Sequence, residues 1–314
     1  MKCLILGGAG FIGSNLLQTL IRRGHEVRIF TRNAISQVGL NELQPHFEEV
    51  VGNFLCEKDL RSALSNVEIV IHLISTKSPS QSNVDPEIDA EENIVGTLRM
   101  LKIAKEMGVK KIVFSSSGGT VYGQPISLPI SEEHPTDPIC SYGVSKLAIE
   151  KYLHLASNKY QLQYSVLRVS NVYGAGQSAK KGIGAASIFL WKIMNDQEIT
   201  IWGDGEVSRD YIYISDVVDA FVCAIEKNTP KNIFNIGYGD SITINQLVEL
   251  IGKITNKTPK VKYLSPRNFD VSKNYLNIEL AKKYLNWKPR VDIRDGLNRM
   301  FIEYTDQFND KSPN

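Results

Sequence analysis

The first half of the chain alternates between short apolar runs and segments in which apolar residues recur at helical spacing. Buried strands are predicted at Lys2–Leu6, 26–30, 67–73, 111–114 and 164–169. Helices are predicted at 11–23, 93–107 and Ser141–Tyr160, and glycines follow the first two, as is typical of helix C-termini. Strands and helices in regular alternation predict an α/β fold with a parallel sheet and right-handed crossovers.

The second half of the chain has a less regular pattern. Strands are predicted at 198–202, 210–213 and 232–236. Four polar residues that precede helical segments are candidate N-caps: Asp216, Thr243, Asn277 and Asp292. No Pro- or Ser-rich linker and no repeat separates the halves, so the boundary that we place near Asn171 is not marked by composition.

Composition and charge exclude several classes of protein. With 42% hydrophobic residues in 314, the chain can build a sizeable core and is not a disordered chain. Lys and Arg (36) nearly balance Asp and Glu (34), so we expect neither nucleic acid nor a membrane as a partner. The four cysteines are widely and irregularly spaced, which argues against a zinc site and favours a reducing compartment. No run approaches the ~18 apolar residues of a spanning helix. We therefore expect a cytoplasmic protein without a metal.

A glycine-rich turn joins the first predicted strand to the first predicted helix. Gly8, Gly10 and Gly13 fit G-x-G-x-x-G, and Gly7, Gly10 and Gly13 fit its G-x-x-G-x-x-G variant. Glycine permits the tight turn and lets the backbone approach a pyrophosphate, toward which the helix N-terminus directs its N–H groups. The sequence therefore predicts a dinucleotide held by Gly7, Gly10, Phe11, Ile12 and Gly13.

The second predicted strand ends without the acidic residue that commonly binds the adenine ribose. Thr31, Arg32 and Asn33 occupy this position. A carboxylate would repel a 2′-phosphate, whereas Arg32 could pair with one, stack on the adenine or face solvent. We expect NAD and leave NADP open. Further cofactor-binding candidates are Asn53, Phe54, Leu73 and Asn93; Asn93 could equally position the catalytic helix or a water.

Tyr142 and Lys146 form a Y-x-x-x-K pair that shares one face of a predicted helix. The pKa of tyrosine is normally near 10, and a nearby ammonium group favours the phenolate. Tyr142 could then remove a proton from a substrate hydroxyl while hydride leaves the same carbon, and Lys146 could also hold the nicotinamide ribose. The competing interpretation is a chance Tyr/Lys pair on a solvated helix face. The glycine turn at this distance in the same chain favours the catalytic interpretation.

Seven motifs together carry a family resemblance. They are GGAGFIGS at 7–14, NIVGT at 93–97, SSSGGTVYG at 115–123, SYGVSK at 141–146, LRVSNVYG at 167–174, GDGEVSRDYIYISDVVDA at 203–220 and FNIGYG at 234–239. Over nearly its whole length the chain resembles the extended short-chain dehydrogenase/reductases, specifically the NAD-dependent sugar epimerase/dehydratase group. The resemblance implies a Rossmann-type doubly wound parallel sheet with a smaller, mixed α/β substrate-binding domain. We expect the dinucleotide-binding domain at 1–171, joined by 210–237, and the sugar-nucleotide-binding domain at 172–209 and 238–314.

The resemblance also implies a catalytic Ser or Thr in the SSSGGT loop. Compared with the UDP-galactose 4-epimerase pattern, this loop carries one extra glycine. Counting from the strand assigns the role to Ser117, whereas counting back from Tyr122 assigns it to Gly118; we favour Ser117, with Thr120 in reserve. The related dehydratases and decarboxylases need carboxylates where this chain has Gly118, Gly119 and Thr120, so we expect neither reaction.

Substrate-binding residues are also implied by the resemblance. Besides Ser117, the candidates are Asn171, Trp202, Arg209, Arg267 and Asp270. Arginine suits phosphate because its planar fork binds two oxygens. The competing interpretations are a surface ion pair between Arg209 and Asp210 and a core position for Trp202. We expect His72 to be a core histidine, and Glu132 to His134 to form a solvated loop.

Three functional hypotheses remain open. The first is an epimerase that acts on a UDP-hexose or UDP-N-acetylhexosamine at C4 through a transient keto-sugar. The second is an NADPH-dependent reductase of a keto-sugar nucleotide, and the third a catalytically silent NAD(P)-binding protein, which the intact Tyr142 and Lys146 argue against. The resemblance further implies a homodimer through a four-helix bundle made by 93–107 and Ser141–Tyr160, and a place in polysaccharide precursor supply.

Overall fold

The computed structural model describes residues 1–34, 46–177, 184–266 and 271–309. Its strands in chain order are β1 Lys2–Leu6, β2 Glu26–Thr31, β3 Phe47–Val51, β4 Ile69–His72, β5 Lys111–Ser117, β6 Gln163–Val169, β7 Asn171–Tyr173, β8 Ile199–Trp202, β9 Ser208–Arg209, β10 Tyr211–Tyr213, β11 Ile233–Ile236, β12 Ile242–Thr243, β13 Val261–Leu264 and β14 Lys273–Asn274. Seven of them form one parallel sheet in the order β3-β2-β1-β4-β5-β6-β11. The strand order reverses between β1 and β4, where open α/β sheets form a crevice.

The helices cover both faces of this sheet. They are α1 Phe11–Arg22, α2 Glu57–Leu64, α3 Pro79–Ser82, α4 Pro86–Ala90, α5 Gly96–Glu106, α6 Ser141–Tyr160, α7 Ala185–Met194, α8 Ile214–Glu226, α9 Ile244–Thr255 and α10 Ile293–Asn309, with π-helical turns at Glu91–Val95 and Ala281–Leu285. Helices α1 and α8 pack together, and α5 packs against α2 and α6. Two apolar cores separate on the two faces. The Rossmann-type doubly wound fold expected from the sequence is confirmed.

Local sequence explains where several elements begin and end. Gly24 and Gly108 have φ of +77° and +74°, and each follows a helix as predicted. Thr243 caps α9 by accepting a hydrogen bond from the backbone N–H of Gln246. Asp292 precedes α10, and its carboxylate accepts from the backbone N–H of Asp295. In the described part of the chain, no helix is both long and apolar enough to cross a membrane.

The prediction that Asp216 is an N-cap is wrong. Helix α8 begins at Ile214, two residues earlier. The carboxylate of Asp216 instead accepts hydrogen bonds of 3.0 Å from the backbone N–H groups of Arg290 and Val291. Asp216 therefore fixes the segment before α10 against α8. An acid that caps its own helix cannot be told from the local sequence apart from an acid that binds a distant backbone segment. In both cases the carboxylate accepts hydrogen bonds from backbone N–H groups.

After β6, the chain also forms smaller sheets outside the main parallel sheet. Strand β7 pairs with β10, β9 lies between β12 and β14, and β8 pairs with β13. Helix α7 packs on α9 beside them. The apolar pattern did not predict β3, α2 or α7. The first three residues of the helix predicted over 93–107 belong to a π-helical turn, and α5 begins at Gly96. The smaller sheets form the mixed region expected beside the main sheet.

Candidate active site

The glycine turn after β1 has the geometry that a bound pyrophosphate needs. Gly7 has φ of +88°, and a Cβ on Gly13 would lie 2.4 Å from the Gly7 carbonyl oxygen. Gly10 is the N-cap of α1 and has no side chain to cover the first backbone N–H groups, and the first turn carries no acid. Gly8 has another reason to be glycine, since its Cβ would collide with Ile29. These residues fit a dinucleotide phosphate.

A cleft of about 500 Å³ opens beside this turn. Eight of the residues predicted to bind the cofactor line it: Gly7, Gly10, Thr31, Arg32, Asn33, Asn53, Phe54 and Leu73. Phe11, Ile12 and Gly13 form the adjoining first turn of α1. The side chain of Asn53 also caps its own turn, because its oxygen accepts from the backbone N–H of Leu55 at 2.9 Å. Ser75, Thr76 and Glu92 line the cleft as well and were not predicted.

A carboxylate that the sequence pattern did not predict lies beside the end of β2. The Thr31 hydroxyl donates to Oε1 of Glu49 at 3.1 Å, from the neighbouring strand β3. In the parallel register Ile29 is opposite Glu49 and Thr31 opposite Val51, so Thr31 and Glu49 lie on one face. Only this register could have revealed the acid, because it lies 18 residues further along the chain.

Tyr142 and Ser117 lie close together, beside a residue of the cofactor cleft. The hydroxyls of Ser117 and Ser75 lower the pKa of the Tyr142 phenol, but burial is the larger effect and raises it to about 12. Ser75 lines the cofactor cleft, and the nearby Pro79 lines the second cavity. The structure thus brings together two of the residues predicted to be catalytic, close to the cofactor cleft.

Lys146 lies one helical turn beyond Tyr142 and is buried. Its Nζ donates to the Ser115 carbonyl oxygen at 2.9 Å and lies 5.5 Å from the centre of the Tyr142 ring. Burial lowers the pKa of Lys146 to about 8, while the carboxylates of Asp89 and Glu150 act in the opposite direction. The ammonium therefore lies beside the Tyr142 ring, where a positive charge would favour the ionised form of the phenol.

The extra glycine of the SSSGGT loop has a packing reason. The Gly118 backbone N–H donates to the Val169 carbonyl oxygen at 2.9 Å, and a Cβ on Gly118 would lie 2.5 Å from Leu276. The turn therefore bends directly after Ser117, which is the last residue of β5. Thr120 Oγ1 is buried and has no hydrogen-bond partner among the described residues. Ser117 contacts Tyr142, and no carboxylate is present at positions 118–120.

A buried charged network supports this loop from behind. Arg168 on β6 binds Glu150 on α6 through Nη2 at 2.6 Å, and both side chains are almost fully buried. The Ser116 hydroxyl donates to Glu150, and Arg168 donates to the Tyr122 hydroxyl at 2.9 Å. Tyr122 in turn donates to Asn235 on the edge strand β11. The network ties the strand that ends at the loop to the helix that carries Lys146.

The second cavity, of about 430 Å³, is lined by three predicted substrate-binding residues: Asn171, Trp202 and Arg209. Trp202 is 45% exposed and borders the cavity rather than filling the core. Asn171 Nδ2 donates to the Asp210 carbonyl oxygen, and Arg209 Nη1 donates to the Val271 carbonyl oxygen at 2.6 Å. The other two candidates, Arg267 and Asp270, lie outside the described residues.

Asp210 does not form the surface ion pair with Arg209 that was the alternative. Its side chain is fully buried and accepts from the backbone N–H groups of Tyr238 and Gly239 and from the Ser170 hydroxyl. Burial raises its pKa to about 6. Asp210 therefore holds the loop after β11, while the adjacent Arg209 lines the cavity.

Two other groups that invited a functional role have structural contacts. His72 is buried between the rings of Phe54 and Phe114, and burial lowers its pKa to about 3, as expected of a core histidine. Glu132 accepts from the backbone N–H of Asn235. The expectation that Glu132 lies in a simple solvated loop is therefore wrong. Across the ranges that the structure describes, no three His, Cys, Asp or Glu side chains are grouped as metal ligands.

Relatives of known name are similar along almost their whole length. The protein matches the UDP-glucose 4-epimerase of Mycolicibacterium smegmatis at 34% identity over 311 residues, 95% of this chain and 96% of the relative. It is 38% identical over 303 residues to the dTDP-4-dehydro-6-deoxyglucose reductase of Escherichia coli, with 95% of each chain covered. The relatives thus include an isomerase and a reductase.

Solved structures share the fold over the full chain. UDP-glucose 4-epimerase of Thermotoga maritima with UDP-glucose superposes with a TM-score of 0.92 at 36% identity, covering 98% of this chain and 100% of that one. UDP-glucose 4-epimerase of Thermus thermophilus in complex with NAD gives 0.89 at 28% identity, covering 97% and 99%. The model of the NAD dependent epimerase/dehydratase family matches residues 3–237. The chain therefore belongs to the NAD dependent epimerase/dehydratase family.

Proposed function

We propose that this protein is an NAD-dependent UDP-sugar 4-epimerase, acting on a UDP-hexose or UDP-N-acetylhexosamine. The placement of Ser117 and Lys146 beside Tyr142, close to the cleft that fits a dinucleotide, is the observation that carries the proposal. We propose that these three residues act at the junction of the cofactor cleft and the second cavity. Positions 118–120 offer no carboxylate for elimination or decarboxylation. A UDP-glucose 4-epimerase is similar to this chain in sequence, and another is similar in fold.

Each residue of the junction has a distinct proposed role. NAD, when bound, supplies a hydride acceptor and donor and a positive charge that favours the Tyr142 phenolate. Tyr142 removes the proton from the sugar hydroxyl, and Ser117 donates a hydrogen bond that orients the same oxygen. The Lys146 ammonium lowers the cost of ionising Tyr142. After the keto-sugar has turned its other face, the hydride would return to the same carbon and Tyr142 would return the proton to its oxygen, so the inversion would consume no net cofactor.

The preference for NAD over NADP is proposed to depend on Glu49. Its carboxylate accepts from the Thr31 hydroxyl at the rim of the cleft, where an additional 2′-phosphate would meet a like charge. Arg32 also lines the cleft and would act in the opposite direction. The T. thermophilus neighbour is a complex with NAD, which supports the same choice.

The second cavity is proposed to hold the UDP part of the substrate. Arg209 would bind a phosphate, Asn171 would contact the diphosphate or sugar, and Trp202 would border the base. Arg267 and Asp270 remain sequence-based candidates for the phosphate and the nucleotide ribose. The sugar-nucleotide-binding domain is accordingly proposed at 172–209 and 238–314.

A homodimer through α5, α6 and the turn before α5 is also proposed. Val95, Val144, Tyr152 and Leu155 are exposed apolar side chains on these elements, and burying them against a second copy would form the four-helix bundle. Leu155→Asp should convert the dimer to a monomer in light scattering. Ile302→Asp is the matched control, since both residues are 58% exposed; a dimer that persists in Leu155→Asp contradicts this arrangement.

The cellular place is proposed to be the cytoplasm, since all four cysteines are unpaired thiols, as is usual in reducing compartments. Fractionation of cells that express the protein tests this location. Recovery in an oxidising compartment would contradict it. A role in polysaccharide precursor supply is proposed on family resemblance.

The activity test begins with protein purified without added cofactor. Bound NAD and interconversion of UDP-hexoses or UDP-N-acetylhexosamines, without net reduction of dinucleotide, are expected. One relative is a dTDP-4-dehydro-6-deoxyglucose reductase, so a keto-sugar nucleotide with NADPH is assayed in parallel. Stoichiometric oxidation of NADPH without interconversion would replace the epimerase by the reductase. Bound dinucleotide with neither reaction would indicate a catalytically silent NAD(P)-binding protein.

A further inference from the structure

The N-terminus of the helix that carries Tyr142 is capped from outside. Cys140, at the N-cap of α6, makes no side-chain capping hydrogen bond. The backbone N–H groups of Ser141 and Tyr142 instead donate to Asn83 Oδ1 at 2.8 Å and to Ser82 Oγ at 2.9 Å. Both acceptors belong to residues 78–90, which we call the capping segment. This segment satisfies orphan donors of α6 that local sequence leaves open.

Asp89 is the charged residue of the capping segment that is buried against α6. Its Oδ2 accepts from the hydroxyls of Ser145 at 2.6 Å and Ser141 at 3.1 Å, and its Oδ1 accepts from Asn93 Nδ2 at 3.1 Å. Only 1% of Asp89 is exposed. Hydrogen bonds to a carboxylate are stronger than neutral ones, and a negative charge is favourable at a helix N-terminus. Asp89 therefore fixes the first turn of α6.

The same side chains connect Asp89 to the cofactor cleft. Asn93, which donates to Asp89, also donates to the Thr76 hydroxyl at 3.1 Å and accepts from the Thr76 backbone N–H at 3.3 Å. Thr76 lines the cofactor cleft, and Pro79 lines the second cavity. Asp89 thus lies where the walls of both cavities are tied to the catalytic helix.

Asp89 also acts electrostatically on Lys146. Besides Tyr142, the titratable groups that face Lys146 are Asp89 from α4, Glu150 from α6 itself and His72 from β4. His72 is neutral because burial lowers its pKa to about 3. The carboxylates of Asp89 and Glu150 raise the pKa of Lys146 against the effect of burial. Removing one of these carboxylates leaves the ammonium less favoured.

The negative charge of Asp89 also acts on Tyr142, where it disfavours the ionised form, whereas it favours the ionised form of Lys146. Besides Lys146, Cys140 and Asp89 are the titratable groups that act on it, and a negative charge on either raises the pKa of Tyr142. The hydroxyls of Ser117 and Ser75 lower it. Neutralising Asp89 should therefore lower the pKa of Tyr142 and the pKa of Lys146 together.

We propose that Asp89 is a positioning residue that holds the first turn of the catalytic helix and sets the pH range in which Tyr142 and Lys146 work as a pair. The proposal rests on the role given to Tyr142 above. Asp89 lies 53 positions before Tyr142 and on a different helix, so the working pH of the Tyr–Lys pair depends on a residue outside the pair.

Three variants separate charge from geometry. Asp89→Asn removes the charge while keeping the shape, and Ser145→Ala removes a hydrogen bond while keeping the charge. Asp85→Asn is the matched control, since Asp85 caps the same helix α4 and Asn also caps helices well. The NAD-loaded enzyme is assayed for kcat against pH. The ultraviolet absorbance of tyrosinate is titrated in parallel, with Tyr142→Phe subtracted to isolate the signal of Tyr142.

Asp89→Asn should lower kcat by about tenfold, as small displacements of a catalytic group do. Both limbs of its pH profile should move to lower pH by about one unit, the size that a neighbouring charge produces. Ser145→Ala should lower kcat without moving either limb, and Asp85→Asn should change neither quantity. Loss of rate in Asp89→Asn with unmoved limbs would reduce Asp89 to a structural residue and overturn the proposal.

The tyrosinate titration keeps this test separate from the activity. If the protein interconverts no sugar nucleotide, the proposed function fails, but the Tyr142 absorbance still reports on Asp89. A lower pKa of Tyr142 in Asp89→Asn than in the unmodified protein supports the proposal. An unchanged titration in a variant whose circular dichroism shows a folded chain overturns it.

Discussion

The cofactor cleft and the second cavity are built in different ways. The cofactor cleft is lined by the segments that follow β1, β2, β3 and β4, which are neighbours in one parallel sheet. The second cavity is lined by residues of β7, α7, β8 and β9, which belong to separate small sheets and helices. One site is formed largely by backbone at the end of a single sheet, the other by side chains from segments that meet only in the folded chain.

This difference indicates how each ligand is recognised. Backbone N–H groups and glycines can hold a dinucleotide phosphate in many proteins, because their geometry depends little on side-chain identity. Recognition in the second cavity is proposed to depend on a few side chains that line it, such as Arg209 and Trp202. Substitutions in one cavity should therefore change the binding of one ligand, while a substitution at the junction should change the chemistry and spare both.

The largest expected effect is at the junction. Tyr142→Phe should lower kcat by about 10²–10⁴-fold, since it removes the general acid and base. Bound NAD and the KM for the sugar nucleotide should change little, as the ring remains. Steady-state kinetics with dinucleotide quantification measure both, with Tyr160→Phe at the other end of α6 as the control. Retained activity in Tyr142→Phe would refute the assigned role.

A smaller effect is expected in the second cavity. Arg209→Met should raise the KM for the sugar nucleotide about 10–100-fold, the loss expected for a charged hydrogen bond worth about 1.5–3 kcal/mol. The affinity for NAD should stay constant. The KM of Arg209→Lys should lie between that of the unmodified protein and that of Arg209→Met, because lysine keeps the positive charge but lacks the planar fork. Arg22→Met, an exposed arginine at the end of α1, is the control; an unchanged KM in Arg209→Met would remove this residue from the substrate site.

The smallest effect is expected at the rim of the cofactor cleft. Glu49→Gln should improve NADP binding relative to NAD by about 3–5-fold, because a partly exposed charge contributes up to about 1 kcal/mol. Competition between the two dinucleotides measures the ratio. Glu48→Gln is a matched control, since Glu48 lies on the opposite face of β3 and pairs with Lys2 and Arg28. An equal change in both variants would show a nonspecific effect of charge.

Local motifs were predictable where a single stretch of chain contains the whole geometry. The turn from Gly7 to Gly13 needs only a strand, a tight bend and a helix, and Tyr142 and Lys146 need only one helical turn. The role of Ser117 was harder, since the extra glycine allowed two alignments. The bend after Ser117 depends on Leu276, which is distant in the chain.

Other features could not be read from neighbouring residues. Arg209 and Asp210 are adjacent, yet one lines a cavity and the other is fully buried, because successive residues of an extended chain point to opposite sides. Asp216 was predicted to cap a helix and instead binds a backbone segment more than 70 residues away. The carboxylates of Asp210 and Asp216 both accept from backbone N–H groups, and these carry no sequence signature.

The sequence by itself determined the alternating strands and helices, the glycine turn and the Tyr142–Lys146 pair, since each follows from local spacing and side-chain chemistry. The tertiary structure decided which acids act near them. Glu49 reaches Thr31 only through the register of two parallel strands, and Asp89 reaches the catalytic helix only through the packing of the capping segment. Electrostatic effects depend on distance in space, which the order of residues along a chain does not specify.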